Sequence, residues 1–107
     1  MKVIAIDLGG TNIKAAVVDQ DLAIIEQSST PTPAEFGKEH LLDRIAGVVM
    51  ELSTKDEAVG IGMGLPGMVS LDQTTVHYPT NLPFLDGVNA AEEVSSRTQL
   101  PCKIEND

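Results

Sequence analysis

The sequence predicts an α/β fold built on a mixed sheet, and three observations support this. Short apolar runs near the start are separated by Gly9-Gly10 and by Asp19-Gln20-Asp21, which is typical of an antiparallel meander. One later stretch repeats apolar residues at helical spacing, another begins with a helix cap at Asn89, and each precedes another short apolar run. The 107 residues are 42% hydrophobic and 3% aromatic, a composition that suits one soluble domain or part of one.

Three strands are predicted at the start of the chain, over residues 3–7, 13–19 and 22–28. Apart from its last residue, Asp7, the first strand is an unbroken apolar run. Such runs are typical of strands that are buried on both faces. We therefore expect this strand at the centre of the sheet, with helices covering the sheet from both sides.

The first helix is predicted after a loop at residues 29–33. Thr32 and Glu35 have the spacing of a capping box, with Pro33 at the first helical position. Apolar residues then recur at helical spacing and give one buried stripe. Its members are Leu41, Leu42, Ile45, Ala46, Val48, Val49 and Leu52.

The next predicted strand, residues 58–65, alternates apolar residues with glycines. Val59, Ile61, Met63 and Leu65 share one face, while the other face carries only glycines, at positions 60, 62 and 64. Because glycines weaken a strand, we expect a helix, a backbone segment or a ligand to approach this bare face closely. Pro66-Gly67 predicts a turn.

A short hairpin is predicted next, over residues 68–71 and 74–78. It leads into residues 79–87, which contain two prolines and are expected to form an irregular loop. Loops of this kind carry binding residues on many scaffolds. Three side chains of this loop are expected to face a ligand, namely Asn81, Phe84 and Asp86.

The second helix is predicted to begin at Asn89, which can cap it with Glu92 at the third position. The helix is expected to end near Thr98. A final strand is predicted from residue 102 to residue 104, and it runs into Glu105-Asn106-Asp107.

The turn between the first two strands is a candidate phosphate site. Glycines permit positive φ and carry no side chain to hold an anion away, so the backbone N–H groups of residues 9–12 can face phosphate oxygens. Thr11, Asn12 and Lys14 add a hydroxyl, an amide and a cation. A plain Gly-Gly hairpin turn is the alternative. We favour the phosphate site because a turn does not need Asp7, Thr11 or Lys14.

Asp107 is a second candidate, because α/β sheets place ligands at the carboxyl ends of their strands. An ordinary strand-end cap is the alternative. Asp7 ends another strand of the same predicted sheet, which favours a functional role for Asp107. Two carboxylates beside a phosphate site suit phosphoryl transfer, in which one holds a metal and the other accepts the proton of the nucleophile.

Other motifs have simpler interpretations. Residues 62–67 match the letters G-x-G-x-x-G, but the dinucleotide fingerprint needs a helix where this sequence predicts a strand. The sequence contains no P-loop pattern. His40 and His77 are interpreted as surface histidines. Cys102 is interpreted as a core residue, because no paired cysteine or histidine suggests a zinc site.

The composition argues against two classes of partner. The net charge is −9 and the basic residues are scattered singly, so nucleic acid is not expected to bind. No apolar run reaches the length of a membrane span or a signal-peptide core. The single cysteine, Cys102, rules out an internal disulfide and agrees with a reducing compartment, so we expect a cytoplasmic protein.

Taken together, residues 7–14, 60–69, 80–82 and 105–107 resemble the repressor/ORF/kinase (ROK) family of sugar kinases, especially its bacterial glucokinase-like members. The resemblance implies one lobe of the actin-like, ribonuclease H-like fold. It also implies that residues 1–107 are the N-terminal segment of a kinase whose remaining parts are absent from this chain. The implied reaction is phosphorylation of a hexose, glucose first, by ATP with Mg²⁺.

The resemblance also implies roles for individual residues. Asp107 would be the general base that takes a proton from the sugar hydroxyl, and Asp7 would lie near magnesium without binding it directly. The phosphates of ATP would be bound by Gly9, Gly10, Thr11, Asn12 and Lys14. The sugar would be bound by Gly67, Asn81, Asn106 and Asp107.

Further segments of the family would follow Asp107, including a second phosphate segment and a zinc-binding cysteine cluster. We therefore make no zinc prediction, and expect little activity from this chain alone and a homodimeric parent enzyme. One alternative is a ROK transcriptional regulator, although those carry a helix-turn-helix before the phosphate segment, which here begins at Asp7. The other is an actin-like ATPase that does not act on a sugar, against which Asn81 and residues 105–107 argue.

Overall fold

The computed structural model describes residues 1–53 and 58–107, which contain eight strands and two α-helices. The first half contains β1 (Lys2–Leu8), β2 (Asn12–Asp19), β3 (Ile24–Pro31), α1 (Lys38–Ser53) and β4 (Ala58–Leu65). The second half contains β5 (Met68–Val69), β6 (Thr75–His77), β7 (Val88–Asn89), α2 (Ala90–Thr98) and β8 (Cys102–Asn106). Short 3₁₀ turns form at Ala34–Phe36 and Pro83–Leu85.

The main sheet is mixed, and β1 lies at its centre, in the order β3-β2-β1-β4-β8. The β1–β2 and β2–β3 pairs are antiparallel, whereas β4 runs parallel to both β1 and β8. The predicted antiparallel meander and the central position of the first strand are therefore confirmed. Because β1, β4 and β8 run in the same direction, their carboxyl ends lie at one edge of the sheet.

The three short strands form a separate small sheet in the order β5-β6-β7. The predicted hairpin is confirmed, with shorter strands, but β7 was not predicted. The turn of the hairpin is attached to β8, because the Ile104 N–H donates to the Gln73 carbonyl (2.9 Å) and Gln73 Nε2 donates to Glu105 Oε1 (2.6 Å). These bonds anchor the small sheet to the end of the main sheet that leads to Asp107.

The core lies between one face of the main sheet and the two helices. It contains alternate residues of the strands, among them Ile4, Ile6, Ile13, Ile61 and Ile104. The predicted stripe of α1, from Leu41 to Leu52, is buried in this core. Since a strand points successive side chains to opposite faces, alternate burial of this kind marks a sheet covered on one side.

The opposite face of the sheet is open in the part of the chain that the structure describes. Val3 is 38% exposed, Val59 is 51% exposed, and Ala5 and Gly62 are exposed as well. Among the described residues, the prediction of helices on both faces is therefore wrong. Val59, which was predicted to share a face with Ile61, is exposed while Ile61 is buried, and the register of β1 against β4 shifts at this point. The apolar run in β1 predicted burial on both faces, but its apolar residues Val3 and Ala5 are exposed.

The region between β3 and α1 also differs from the prediction. β3 continues to Pro31, so residues 29–31 belong to a strand and not to a loop. The capping box is absent, because α1 begins at Lys38 after a 3₁₀ turn that no side chain caps. Thr32 instead bonds to the turn between β1 and β2. The hydroxyl of Thr32 thus serves a distant segment of the chain.

The second helix follows the prediction closely. The side chain of Asn89 accepts the Glu92 N–H (2.9 Å), and the helix ends at Thr98 with Gln99 in the left-handed region. Arg97 joins α2 to α1, because its guanidinium bonds Asp43 (2.9 Å) and Glu39 (2.6 Å). No helix of the described residues is long and apolar enough to span a membrane.

Candidate functional site

The turn between β1 and β2 is closed by a hydrogen bond from the Gly9 N–H to the Asn12 carbonyl (3.0 Å). Two further bonds come from Thr32, whose Oγ1 donates to the Gly9 carbonyl (2.8 Å) and whose N–H donates to the Thr11 carbonyl (2.8 Å). The N–H of Gly9 is therefore used inside the turn. Any contribution of Gly9 to anion binding comes from its lack of a side chain.

The N–H groups of Gly10 and Thr11 remain open. Within residues 1–53 and 58–107, neither of them donates to a protein acceptor. Thr11 and Asn12 are exposed at the same place. Consecutive N–H groups of a turn form a concave site that binds anions, so this turn has the chemistry that a phosphate group requires.

Asp7 and Lys14 lie opposite each other in the β1–β2 ladder. Both side chains are exposed on the open face of the sheet. One residue pair, Leu8 and Ile13, separates Lys14 from the turn. On its other side Asp7 pairs with Gly64 of β4. A depression of about 510 Å³ lies over this face beside Asp7 and Lys14. Its lining does not include the turn, Asn81 or Asp107, so we place the candidate site at the edge of the sheet instead.

Asn81 packs against the turn. A Cβ atom added to Gly10 would lie 2.9 Å from the Cβ of Asn81, which is closer than two carbon atoms pack. Asn81 has a φ of 64°, in the left-handed region that asparagine tolerates better than most residues. Glycine at position 10 therefore allows the loop after β6 to touch the candidate phosphate turn.

Asp86 holds the loop that carries Asn81. Its Oδ1 accepts the Tyr78 N–H (2.8 Å) and lies 3.9 Å from His77 Nδ1. Phe84 is partly buried and packs against the core. Asp86 thus closes the loop on which Asn81 lies.

Gly67 is placed where the chain is most crowded. Its φ is +152°, and an added Cβ would lie 2.9 Å from Val76 Cγ2 and 3.0 Å from the His77 carbonyl oxygen. Asn106 Nδ2 donates to the carbonyl of Gly67. The glycine thus lets three segments meet, namely the end of β4, the end of β8 and the loop after β6.

Asp107 lies next to β4 at the same edge. Its N–H donates to the Leu65 carbonyl (3.1 Å), and its Cβ lies 3.4 Å from the position that a Cβ on Gly64 would occupy. Gly64 is in turn opposite Asp7 in the β1–β4 ladder. The expectation of a close approach to the glycine face is therefore met at Gly64, while Gly62 has no atom within 4 Å.

The structure thus gathers the sequence-predicted site residues at one edge of the main sheet. This edge contains the turn, Asn81, Gly67, Asn106 and Asp107. Asp7 lies beside it in β1, and Lys14 lies on the open face of the sheet. The sequence analysis gave other roles to two residues that shape this edge, Thr32 and Asp86. The spacing between Thr32 and Glu35 indicated a helix cap. No sequence pattern indicated that the Asp86 side chain bonds the backbone of its own loop.

Neither a metal ligand set nor a reactive thiol is found among the described residues. No three His, Cys, Asp or Glu side chains there are close enough to hold a metal ion. The described residues therefore do not form a Mg²⁺ site by themselves. Cys102 packs against the core, where burial raises the pKa of its thiol to about 11.

Three comparisons relate the chain to known proteins. The sequence profile described as the ROK family matches residues 3–107. Glucokinase from Thermotoga maritima is 34% identical over 107 residues, which are 100% of this chain and 34% of that protein. N-acetyl-D-glucosamine kinase from Vibrio atlanticus is 34% identical over 102 residues, which are 94% of this chain and 33% of that protein.

The fold matches that of a solved enzyme. The crystal structure of a ROK family glucokinase from Streptomyces griseus, in complex with glucose and AMPPNP, superposes with a TM-score of 0.91 at 29% identity. The match covers 99% of this chain and 33% of the other. The chain therefore spans about a third of the length of the relatives it matches. The predicted fold class, an actin-like ATPase lobe with a mixed sheet, is confirmed.

Proposed function

Because the chain belongs to the ROK family, we propose that the intact protein transfers the γ-phosphate of ATP to a hydroxyl group of a hexose. The hexose that we propose is glucose. Relatives that act on glucose and on N-acetyl-D-glucosamine are equally similar to this chain, so the sugar has to be identified by experiment.

The observation that supports this proposal is that Asp107 ends β8 at the edge of the sheet where β1 runs into the turn. The backbone N–H of Asp107, after the end of β8, donates to the Leu65 carbonyl, and the Asp107 side chain lies next to Gly64. Gly64 pairs with Asp7, which lies two residues before the turn. A base and an anion site at one edge of a sheet are the two parts that phosphoryl transfer to a hydroxyl requires.

In the proposed reaction, the carboxylate of Asp107 accepts the proton of the sugar hydroxyl. The sugar oxygen attacks the γ-phosphorus, the new O–P bond forms, and the bond to the β–γ bridging oxygen breaks, so that ADP leaves. Gly9, Gly10, Thr11, Asn12 and Lys14 contact the phosphates. Mg²⁺ bound to the nucleotide would neutralise part of the phosphate charge, and Asp7 would lie near it.

The sugar is held by groups that both donate and accept hydrogen bonds, as a polyol requires. The amides of Asn81 and Asn106 have this property. The Gly67 turn completes this side of the site, because the Asn106 amide is already oriented by the Gly67 carbonyl. Positioning of this kind accounts for a large share of catalysis in phosphoryl transfer.

Residues 1–107 alone are proposed to have little activity, since the relatives they match are about three times as long. We further propose that the intact protein is a cytoplasmic homodimer that binds neither nucleic acid nor membranes. Zinc dependence is left open, because the family's cysteine cluster would lie beyond Asp107.

The test is a screen of hexoses with ATP on the intact protein, in which ADP release is coupled to a colour change. We expect release that depends on one hexose. Asp107→Asn should abolish turnover while leaving the dissociation constant of that hexose within about threefold, because the amide keeps the shape and loses the base. Asp21→Asn, an exposed carboxylate far from the site, is the matched control and should keep full turnover.

Two outcomes would contradict the proposal. Release of ADP at a rate that no hexose changes would favour an actin-like ATPase. Specific, salt-resistant binding to DNA with no turnover would favour a transcriptional regulator. Full activity of Asp107→Asn would contradict the assignment of the base even if the kinase activity is found.

A further inference from the structure

Thr32 is one of two polar residues that are buried in the described part of the chain, with 8% of its surface exposed. It follows β3 directly, yet both of its hydrogen bonds reach the turn between β1 and β2. The hydroxyl bonds the Gly9 carbonyl and the N–H bonds the Thr11 carbonyl. A buried residue whose hydroxyl and backbone N–H both bond the same turn holds that turn in place.

The geometry of the peptide bond shows what this control achieves. In a trans peptide the carbonyl and the following N–H point in opposite directions, and the described chain contains no cis peptide. When Thr32 holds the Gly9 carbonyl, the N–H of Gly10 points away from Thr32. The bond from the Thr32 N–H to the Thr11 carbonyl holds the other end of the turn to the end of β3.

Without these bonds the turn has an alternative. Glycine adopts both signs of φ at little cost, so the peptide between Gly9 and Gly10 can rotate. Rotation would direct the Gly9 carbonyl oxygen toward the anion and remove the N–H of Gly10 from it. An anion would then meet a partial negative charge in place of a donor, which weakens binding.

We propose that Thr32 is a positioning residue for the phosphates of ATP, because its hydroxyl fixes the Gly9 carbonyl so that the N–H of Gly10 faces the phosphate oxygens. The identity of the anion rests on the proposed function. The orientation of the turn does not, because it follows from the contacts of Thr32 alone.

The substitution that tests this is Thr32→Val, which keeps the shape of the side chain and removes the hydroxyl. In the intact protein we expect the KM for ATP to rise about 10-fold, the effect of losing roughly one hydrogen bond to a charged group, while the KM for the hexose changes less than about twofold. Thr32→Ser retains the hydroxyl and should restore the KM for ATP. If Thr32→Val does not fold, Thr32→Ala is measured in its place.

Thr98 provides a matched control. It is the other buried polar residue, with 4% of its surface exposed, and its Oγ1 also donates to a backbone carbonyl at 2.8 Å, that of Val94. Thr98→Val removes this bond, and also the longer bond that Thr98 Oγ1 accepts from the Leu100 N–H (3.3 Å), at a place away from the turn. It should lower stability by a similar amount and leave both KM values unchanged. An equal rise in the KM for ATP in Thr98→Val and Thr32→Val would mean that general destabilisation is the cause.

A second measurement separates failure of this inference from failure of the proposed function. Inorganic tripolyphosphate is titrated into the intact protein, and the amide signals of Gly10 and Thr11 are followed by NMR. We expect shifts in the wild type and in Thr32→Ser, and at least about tenfold weaker binding in Thr32→Val. Absence of hexose-dependent turnover would refute the kinase, but equal tripolyphosphate binding by wild type and Thr32→Val, or equal KM values for ATP, would overturn the role of Thr32.

Discussion

The contact between Gly10 and Asn81 predicts the effect of a single methyl group. In Gly10→Ala the new Cβ would lie 2.9 Å from the Cβ of Asn81. Carbon atoms pack at about 3.5–4.0 Å, so the two segments must separate by at least about 0.6 Å. The Cβ of Asn81 cannot move alone, because it is attached to a backbone held at a φ of 64°. The loop after β6 therefore has to shift as a whole.

The expected loss of stability is about 1–3 kcal/mol, the usual range for overpacking by one methyl group. A displacement of this size at a binding residue also lowers the rate. Since about 1 Å of misplacement can reduce turnover 100-fold, we expect kcat/KM for the hexose to fall about 10-fold or more. Urea unfolding measures the first effect, and steady-state kinetics of the intact protein measure the second.

The explanation is tested by a double-mutant cycle with Asn81→Gly. Glycine at position 81 has no Cβ and adopts positive φ freely, so Gly10→Ala should cost little in that background. Gly47→Ala is the control, because Gly47 is exposed in α1 with no atom within 4 Å of an added Cβ. It should raise stability by about 0.8–1 kcal/mol. A cost of Gly10→Ala that is the same with and without the Asn81 side chain would refute the reasoning.

Two further predictions concern the rest of the chain. Arg97→Lys should lower stability by about 1 kcal/mol in urea unfolding, because lysine cannot bond Glu39, Asp43 and Glu93 at once; a loss that is equal at low and high salt would contradict the ionic explanation. Cys102 should react with iodoacetamide far more slowly in the folded protein than in urea at pH 8, because burial raises the pKa of its thiol to about 11. Since this folded pKa lies above that of the unfolded chain, the stability that Cys102 contributes is present below about pH 8.5 and is lost as the pH rises toward 11. Equal reaction rates in the folded and unfolded states would contradict the burial.

Much of the main sheet could be predicted because alternation and helical spacing of apolar residues reflect burial directly. The glycine face of β4 was visible for the same reason. What periodicity could not supply is which apolar residues are covered. Val3 and Ala5 belong to an apolar run, but they lie on the open face, and only the position of the helices decides that.

The role of Thr32 could not be predicted because a threonine hydroxyl bonds whichever carbonyl or N–H is nearest in space. Near Glu35 its spacing fits a helix cap, whereas its partner in the structure, Gly9, is 23 residues away. The pairing of β2 with β3 brings these two together. Long-range pairing of this kind leaves no local signature.

The contact between Asn81 and Gly10 was equally hidden. Both residues were selected from the sequence for different reasons, one as a sugar ligand and one as a phosphate ligand. The structure adds that they touch. The predicted sugar site and the predicted phosphate site are therefore in contact, so a substitution at Gly10 is expected to shift Asn81.

The central claim is that the intact protein joins the γ-phosphate of ATP to a hexose with Asp107 as the base. The most direct test supplies ATP with an isotopically labelled γ-phosphate and analyses the products by mass spectrometry. The account predicts labelled hexose phosphate from the wild type and none from Asp107→Asn. Label found only in inorganic phosphate, whether or not a hexose is present, would contradict it.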